Sequence, residues 1–187
     1  MQIQVSDIAN LPTSHGEFNI QSFKEGDKEH LVVFSKELSA VPIVRVHSEC
    51  LTGDAFGSLK CDCGEQLNFA LDKIYAEFGM LIYLRQEGRN IGLLNKVNAY
   101  ALQDKGFNTV EANHQLGFSA DERTYEIVTD ILHKFNIKQI RLLTNNPEKL
   151  KSISDVDIVE RVPIIIESND YNADYLKVKK DEMGHLL

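Results

Sequence analysis

A change of hydrophobic period near Gly64 constrains this chain more than any other feature. Before it, apolar residues run in short or alternating stretches at 17–23, 30–34 and 41–47, separated by Gly26, Asp27 and Pro42, the pattern of strands joined by turns. After it the period lengthens. Leu67, Leu71, Ile74 and Phe78 recur at helical spacing, Gly79 ends that run, and 80–85 follows as a strand. A second helix is predicted over 93–105, ending at Gly106, and Tyr125, Val128, Leu132 and Phe135 mark the buried stripe of a third. Residues 139–144 and 156–166 read as strands. Between them Asn146 caps a short helix that has Pro147 in its first position, and 175–180 reads as a last helix. The expectation is an α/β fold. It is a single layered domain over 1–187, with a mixed β-sheet flanked by helices, a β-rich N-terminal part, and ligands at the loops that follow strand ends.

With 43% hydrophobic and 26% charged residues, the chain has the composition of a soluble globular protein. No apolar run approaches the roughly 20 residues that span a bilayer. Residues 1–10 mix Gln2, Gln4, Asp7 and Asn10 among apolar positions, which is not the layout of a secretory signal, so a cytoplasmic location without membrane contact is expected. A net charge of −8 argues against sequence-blind nucleic-acid binding, which draws its affinity from a basic surface. An anionic ligand must therefore meet a local basic pocket. No repeat, low-complexity tract or linker divides the chain.

All three cysteines, Cys50, Cys61 and Cys63, are close together, and an odd number speaks against a disulfide framework. Small buried hydrophobes are one reading of them. The other is a zinc site, because zinc accepts soft thiolates in a tetrahedron, and three protein ligands leave the fourth position to water, as in catalytic sites. His47 is a rival fourth ligand that would close the site. Glu49, two residues on, makes a His-x-Glu pair like that of zinc nucleoside deaminases, but their Pro-Cys-x-x-Cys is missing.

Two strand-to-helix junctions suit an anion. In 87–92, Glu87, Gly88 and Arg89 lead a glycine-rich turn whose backbone can approach a ligand closely, though a plain turn is the commoner explanation of such a stretch. In 144–149, Thr144 and Lys149 bracket a helix N-terminus. Arg45, Arg85, Arg89, Arg123 and Lys149 either supply the positive field for a triphosphate or form surface ion pairs. Ser119 and Glu122 fit a capping box ahead of the Tyr125 helix. If Asp121 and Arg123 both act chemically, their spacing requires that helix to begin late, because two helical residues that far apart point about 200° away from each other. Tyr100 is a packing residue, or a proton donor if its hydroxyl faces the metal pocket.

These segments, taken in order, resemble GTP cyclohydrolase II. The matching stretches begin with 45–55 and 60–66, and continue through 85–93, 98–103, 109–118, 121–123, 144–149 and the closing 181–187. The likeness runs from about residue 11 to the C-terminus, with 150–156 a few residues shorter than usual. No room remains for the dihydroxybutanone-phosphate synthase domain that some relatives carry in front, which implies a monofunctional form. The resemblance implies hydrolysis of GTP to formate, pyrophosphate and a diaminopyrimidinone, the entry step of riboflavin biosynthesis. It also implies one zinc on Cys50, Cys61 and Cys63, magnesium on the substrate phosphates, and a homodimer. GTP would contact Arg45, Val46, His47, Ser48, Glu49, Gln66, Glu87, Gly88, Arg89, Thr109, Thr144 and Lys149. Tyr100, Asp121 and Arg123 would be catalytic, Asp121 as proton acceptor. The family assigns Arg123 as nucleophile toward the α-phosphate. A guanidinium with a pKa above about 12 is a poor nucleophile, and charge stabilisation is the physical alternative.

Overall fold

A computed structural model describes residues 3–181 and 183–186. Met1, Gln2, Glu182 and Leu187 lie outside the described residues, and with them the start of the opening segment and part of the closing motif. The N-terminal part is all strand: β1 (Gln4–Val5), β2 (Ala9–Thr13), β3 (Gly16–Glu25), β4 (Lys28–Ser35) and β5 (Ile43–Ser48). Helices then alternate with strands. The order is α1 (Leu51–Asp54), α2 (Cys63–Ala76), β6 (Met80–Leu84), α3 (Gly92–Gln103), α4 (Thr109–Gln115), α5 (Glu126–Lys134), β7 (Gln139–Leu143), α6 (Pro147–Ser152), β8 (Asp157–Val162) and α7 (Ala173–Asp181). No helix among the described residues is long and apolar enough to cross a membrane.

The strands form one mixed sheet in the order β1-β3-β4-β6-β5-β7-β8, with β2 also on β3. Pairing is antiparallel from β1 to β6 and parallel from β6 to β8. The α/β class, the mixed sheet and the flanking helices are thus as the periodicity predicts. Side chains alternate between two apolar layers. Met80, Ile82 and Leu84 of β6 meet Val128, Ile131 and Leu132 of α5 on one face, whereas Leu81 meets Ala70 and Ile74 of α2 on the other. The same alternation turns Val44 and Val46 of β5 toward the α5 layer and leaves Arg45 and His47 on the side of α2. Parallel β5, β6 and β7 end on one edge, so the loops 49–50, 85–91 and 144–146 gather there.

Three local expectations change. The last strand stops at Val162, because Pro163 has no N–H to donate to a ladder. Ser119 N donates to Glu122 Oε1 (2.9 Å), but no helix follows, and α5 starts at Glu126 with Tyr125 as its N-cap, late as the Asp121–Arg123 spacing requires. Helix α4 is additional. Asn108 accepts from Val110 N and Glu111 N, and Glu111 reaches back to Asn108 N, a complete capping box legible in the sequence itself.

Candidate active site

Glycine packing brings the cysteines together. A Cβ on Gly64 would lie 2.4 Å from the Gly53 carbonyl oxygen, and one on Gly53 would lie 2.8 Å from the Cys61 sulfur. Only at these two glycines can α1 and the start of α2 approach so closely, and that approach sets Cys50, ahead of α1, beside Cys61 and Cys63. The three sulfurs lie within 4.8 Å of one another, with Cys50 and Cys61 at 3.7 Å. Zinc–sulfur bonds of about 2.3 Å set a tetrahedral edge of about 3.8 Å, so the trio fits a zinc ion. Hydrogen bonds from Cys61 and Cys63 lower the Cys50 pKa, and the same bonds raise those of Cys61 and Cys63.

No fourth His, Asp or Glu among the described residues joins the cluster. His47 is engaged elsewhere. Its Nε2 donates to Asp54 (3.0 and 3.2 Å) and its ring stacks on Tyr83 at 5.4 Å. Asp54 also accepts from Tyr83 Oη (2.7 Å) and Cys50 N (3.0 Å), so it ties the cysteine loop to β5 and β6.

The cleft beside the sulfurs is lined by seven Lys and Arg residues against two carboxylates, Glu49 and Glu87. This is the local positive field that an acidic chain needs to hold an anion. Arg45 donates to Leu143 O (3.0 Å) and Gln66 Oε1 (2.6 Å), and burial pulls its pKa down to about 10. Lys149 donates to Val46 O (2.7 Å), and burial, then Arg45 and Arg123, push its pKa well down. Both cations are therefore costly without an anion beside them. Five lining side chains carry a buried polar atom with no partner: Arg45 Nε, His47 Nδ1, Ser48 Oγ, Gln86 Oε1 and Arg89 Nη2. Unpartnered polar atoms are rare in folded proteins, and their gathering around one cleft is the mark of a ligand site.

Most residues singled out in the sequence converge here. Arg45, His47, Ser48, Glu49, Gln66, Glu87, Gly88, Arg89, Tyr100, Thr109, Arg123, Thr144 and Lys149 line the cleft with the three cysteines. Val46 and Asp121 do not: Val46 is packed in the α5 layer, and Asp121 stands behind Arg123, whose Nε (2.8 Å) and Nη2 (2.5 Å) grip its two oxygens. Burial disfavours charge on Arg123, but Asp121 and Tyr125 outweigh it and raise the pKa. Burial acts against ionised Asp121 as well, yet Arg123 brings its pKa below the usual value. Tyr100 Oη meets Thr52 Oγ1 at 3.3 Å, and burial pushes its pKa up to about 12, so it keeps its proton at neutral pH. Arg85 pairs with Glu49 at 2.8 Å, outside the cleft wall.

Sequence reasoning missed Gln86, Lys96 and the C-terminal wall. Lys96 interrupts the buried stripe of α3, a signal that was available. Tyr175, Lys179, Met183 and His185 come from the far end of the chain. Lys179 Nζ reaches Asp62 Oδ1 at 2.7 Å and so fastens α7 to the start of α2, a contact that no local pattern announces.

Comparison with known proteins places the chain in a family. The profile of the family described as GTP cyclohydrolase II matches residues 4–163. A Campylobacter fetus protein named GTP cyclohydrolase-2 is 65% identical over 100% of this chain and 97% of its own. Namesakes from Campylobacter hominis and Helicobacter pylori are 59% and 56% identical over 100% of this chain and 97% and 99% of theirs. A solved structure of a two-domain 3,4-dihydroxy-2-butanone 4-phosphate synthase from A. baumannii overlays 88% of this chain on 40% of its own, with a TM-score of 0.47 and 18% identity, too distant to inform the site. A profile spanning most of the chain and relatives that match it end to end leave one assignment: the chain belongs to the GTP cyclohydrolase II family of enzymes.

Proposed function

We propose that this enzyme is a zinc-dependent hydrolase that opens the imidazole ring of GTP. It releases formate and pyrophosphate and leaves 2,5-diamino-6-(5-phosphoribosylamino)pyrimidin-4(3H)-one, the first step of riboflavin biosynthesis. The observation that carries this reading is the placement of three converging cysteine sulfurs in the wall of a cationic cleft. Family membership supports GTP as the substrate.

Cys50, Cys61 and Cys63 would hold the zinc. Bound there, zinc supplies a water acidified toward neutrality. The chain's own residues then divide the remaining work. Arg45, Lys149 and Arg123 take the phosphates, with magnesium, and the backbone of the 87–89 turn and the side chains of Thr109 and Thr144 complete the nucleotide wall. Arg123, held by Asp121 and kept charged, stabilises the negative charge that develops as pyrophosphate leaves, rather than attacking phosphorus itself. Tyr100, protonated at neutral pH and directed at the cysteine loop, donates a proton to the opening ring. Asp121, ionised, accepts one once substrate draws Arg123 toward the phosphates. The 187 residues act as one catalytic domain, in the cytoplasm and as a homodimer. Incubation with GTP and magnesium tests the proposal: formate and pyrophosphate are expected in equal amounts. Binding of GTP without formate would identify a zinc-stabilised nucleotide sensor instead, and ammonia from a nucleoside would identify a deaminase.

A further inference from the structure

Lys96 is a cation where the fold should not want one. It lies on the inward stripe of α3 beside Ala99, with 9% of its side chain exposed. Its ammonium donates to Glu87 Oε1 at 2.7 Å and to the Cys50 sulfur at 3.1 Å. The Glu87 carboxylate that holds it is itself buried and fully used, since Oε1 also accepts from Gly88 N (2.8 Å) and Oε2 from Leu51 N (2.6 Å). Leu51 directly follows Cys50, so one carboxylate fixes both the ammonium and the backbone of the cysteine loop. The ammonium thus has a built seat, directed at one sulfur of the three.

Three thiolates around a zinc ion leave the centre with a net charge of about −1, which a buried ammonium offsets. An N–H donor on a thiolate withdraws electron density from sulfur and weakens its donation to a metal. The metal then stays a stronger Lewis acid toward its water. We propose that Lys96, seated by Glu87, is a positioning residue of the metal centre that restrains charge donation from the Cys50 sulfur. This rests on the zinc reading given above. It assigns Glu87 a structural use for its side chain, distinct from any contact that the 87–89 backbone makes with nucleotide.

Cobalt(II) in place of zinc makes the sulfur donation visible as thiolate-to-metal charge-transfer absorption. In Lys96→Met the full-length protein is expected to bind one cobalt per chain, with that absorption moved to longer wavelength because the Cys50 sulfur is freed to donate. The zinc-loaded variant should lose about 10- to 100-fold in kcat with little change in KM for GTP. Lys96→Arg, which keeps a charged donor, should restore much of both. Lys96→Gln, with a neutral donor, should shift the absorption less and in the same direction, and serves if Lys96→Met does not fold. Wild-type absorption in cobalt-loaded Lys96→Met or Lys96→Gln overturns the proposal. Failure of the unaltered protein to show any cobalt–thiolate absorption overturns the zinc reading itself, which is a separate outcome.

Discussion

Tyr100 is the single side chain whose proposed role goes furthest beyond packing. It sits on α3 with its hydroxyl 3.3 Å from Thr52 and its ring 5.0 Å from the Lys60 ammonium, inside the cleft that holds the cysteines. Because burial pushes its pKa up to about 12, the phenol keeps its proton across the working pH range and should leave no inflection of its own in a pH–rate profile below that value. Tyr100→Phe is expected to reduce kcat by about 100-fold or more, the lower end of what a positioned acid supplies, with KM for GTP within a few-fold. Steady-state formate release checks this, and an unchanged kcat would return Tyr100 to the role of a packing residue. His47 illustrates the opposite case. Its type and position invite a metal role, yet three contacts with Asp54 and Tyr83 commit it to holding the cysteine loop.

At the level of elements, the cysteine cluster depends on two glycines more than on any strand. The contact of Gly64 with Gly53 lets α2 begin against α1, and a methyl group at Gly64 would meet a backbone oxygen that has nowhere to move. Gly64→Ala should therefore cost about 1–3 kcal/mol through overpacking, and should separate Cys63 from Cys50. Lower metal content per chain together with a reduced Tm is the expected result, and full metal content in a stable variant would show that the helix shifts without strain. The elements themselves were largely legible. Periodicity located α2, α3, α5 and the strands β3 to β8 to within a few residues, because each buries one face and must repeat accordingly. The largely exposed strands β1 and β2 were not, since a strand that buries little imposes little pattern. The range of β8 was overrun for a related reason: apolar residues continue past Pro163, but backbone pairing does not.

Across the whole molecule, one buried ion pair joins the chain's last helix to the start of α2. Lys179 and Asp62 are 2.7 Å apart with side chains 11% and 2% exposed. Removing only the cation leaves a buried carboxylate without its partner, so Lys179→Met should destabilise the protein by about 3–5 kcal/mol. The double variant Asp62→Asn, Lys179→Met should cost clearly less, and urea unfolding of the single and double variants compares the two. A double variant that loses as much as Lys179→Met would mean that the unpaired Asp62 carboxylate carries no penalty of its own. This tether also explains the division between what was foreseeable and what was not. Residue order alone determined the fold class, the cysteine trio and the family motifs, because periodic burial and ligand spacing are properties of short stretches. Tertiary structure decided which groups share the cleft: that His47 is taken by Asp54, that Lys96 faces Cys50, that Asp121 stands behind Arg123, and that α7 supplies a wall. Those outcomes depend on which face of the sheet each element packs against and on contacts as far as 117 residues apart, and no local run of the chain encodes either.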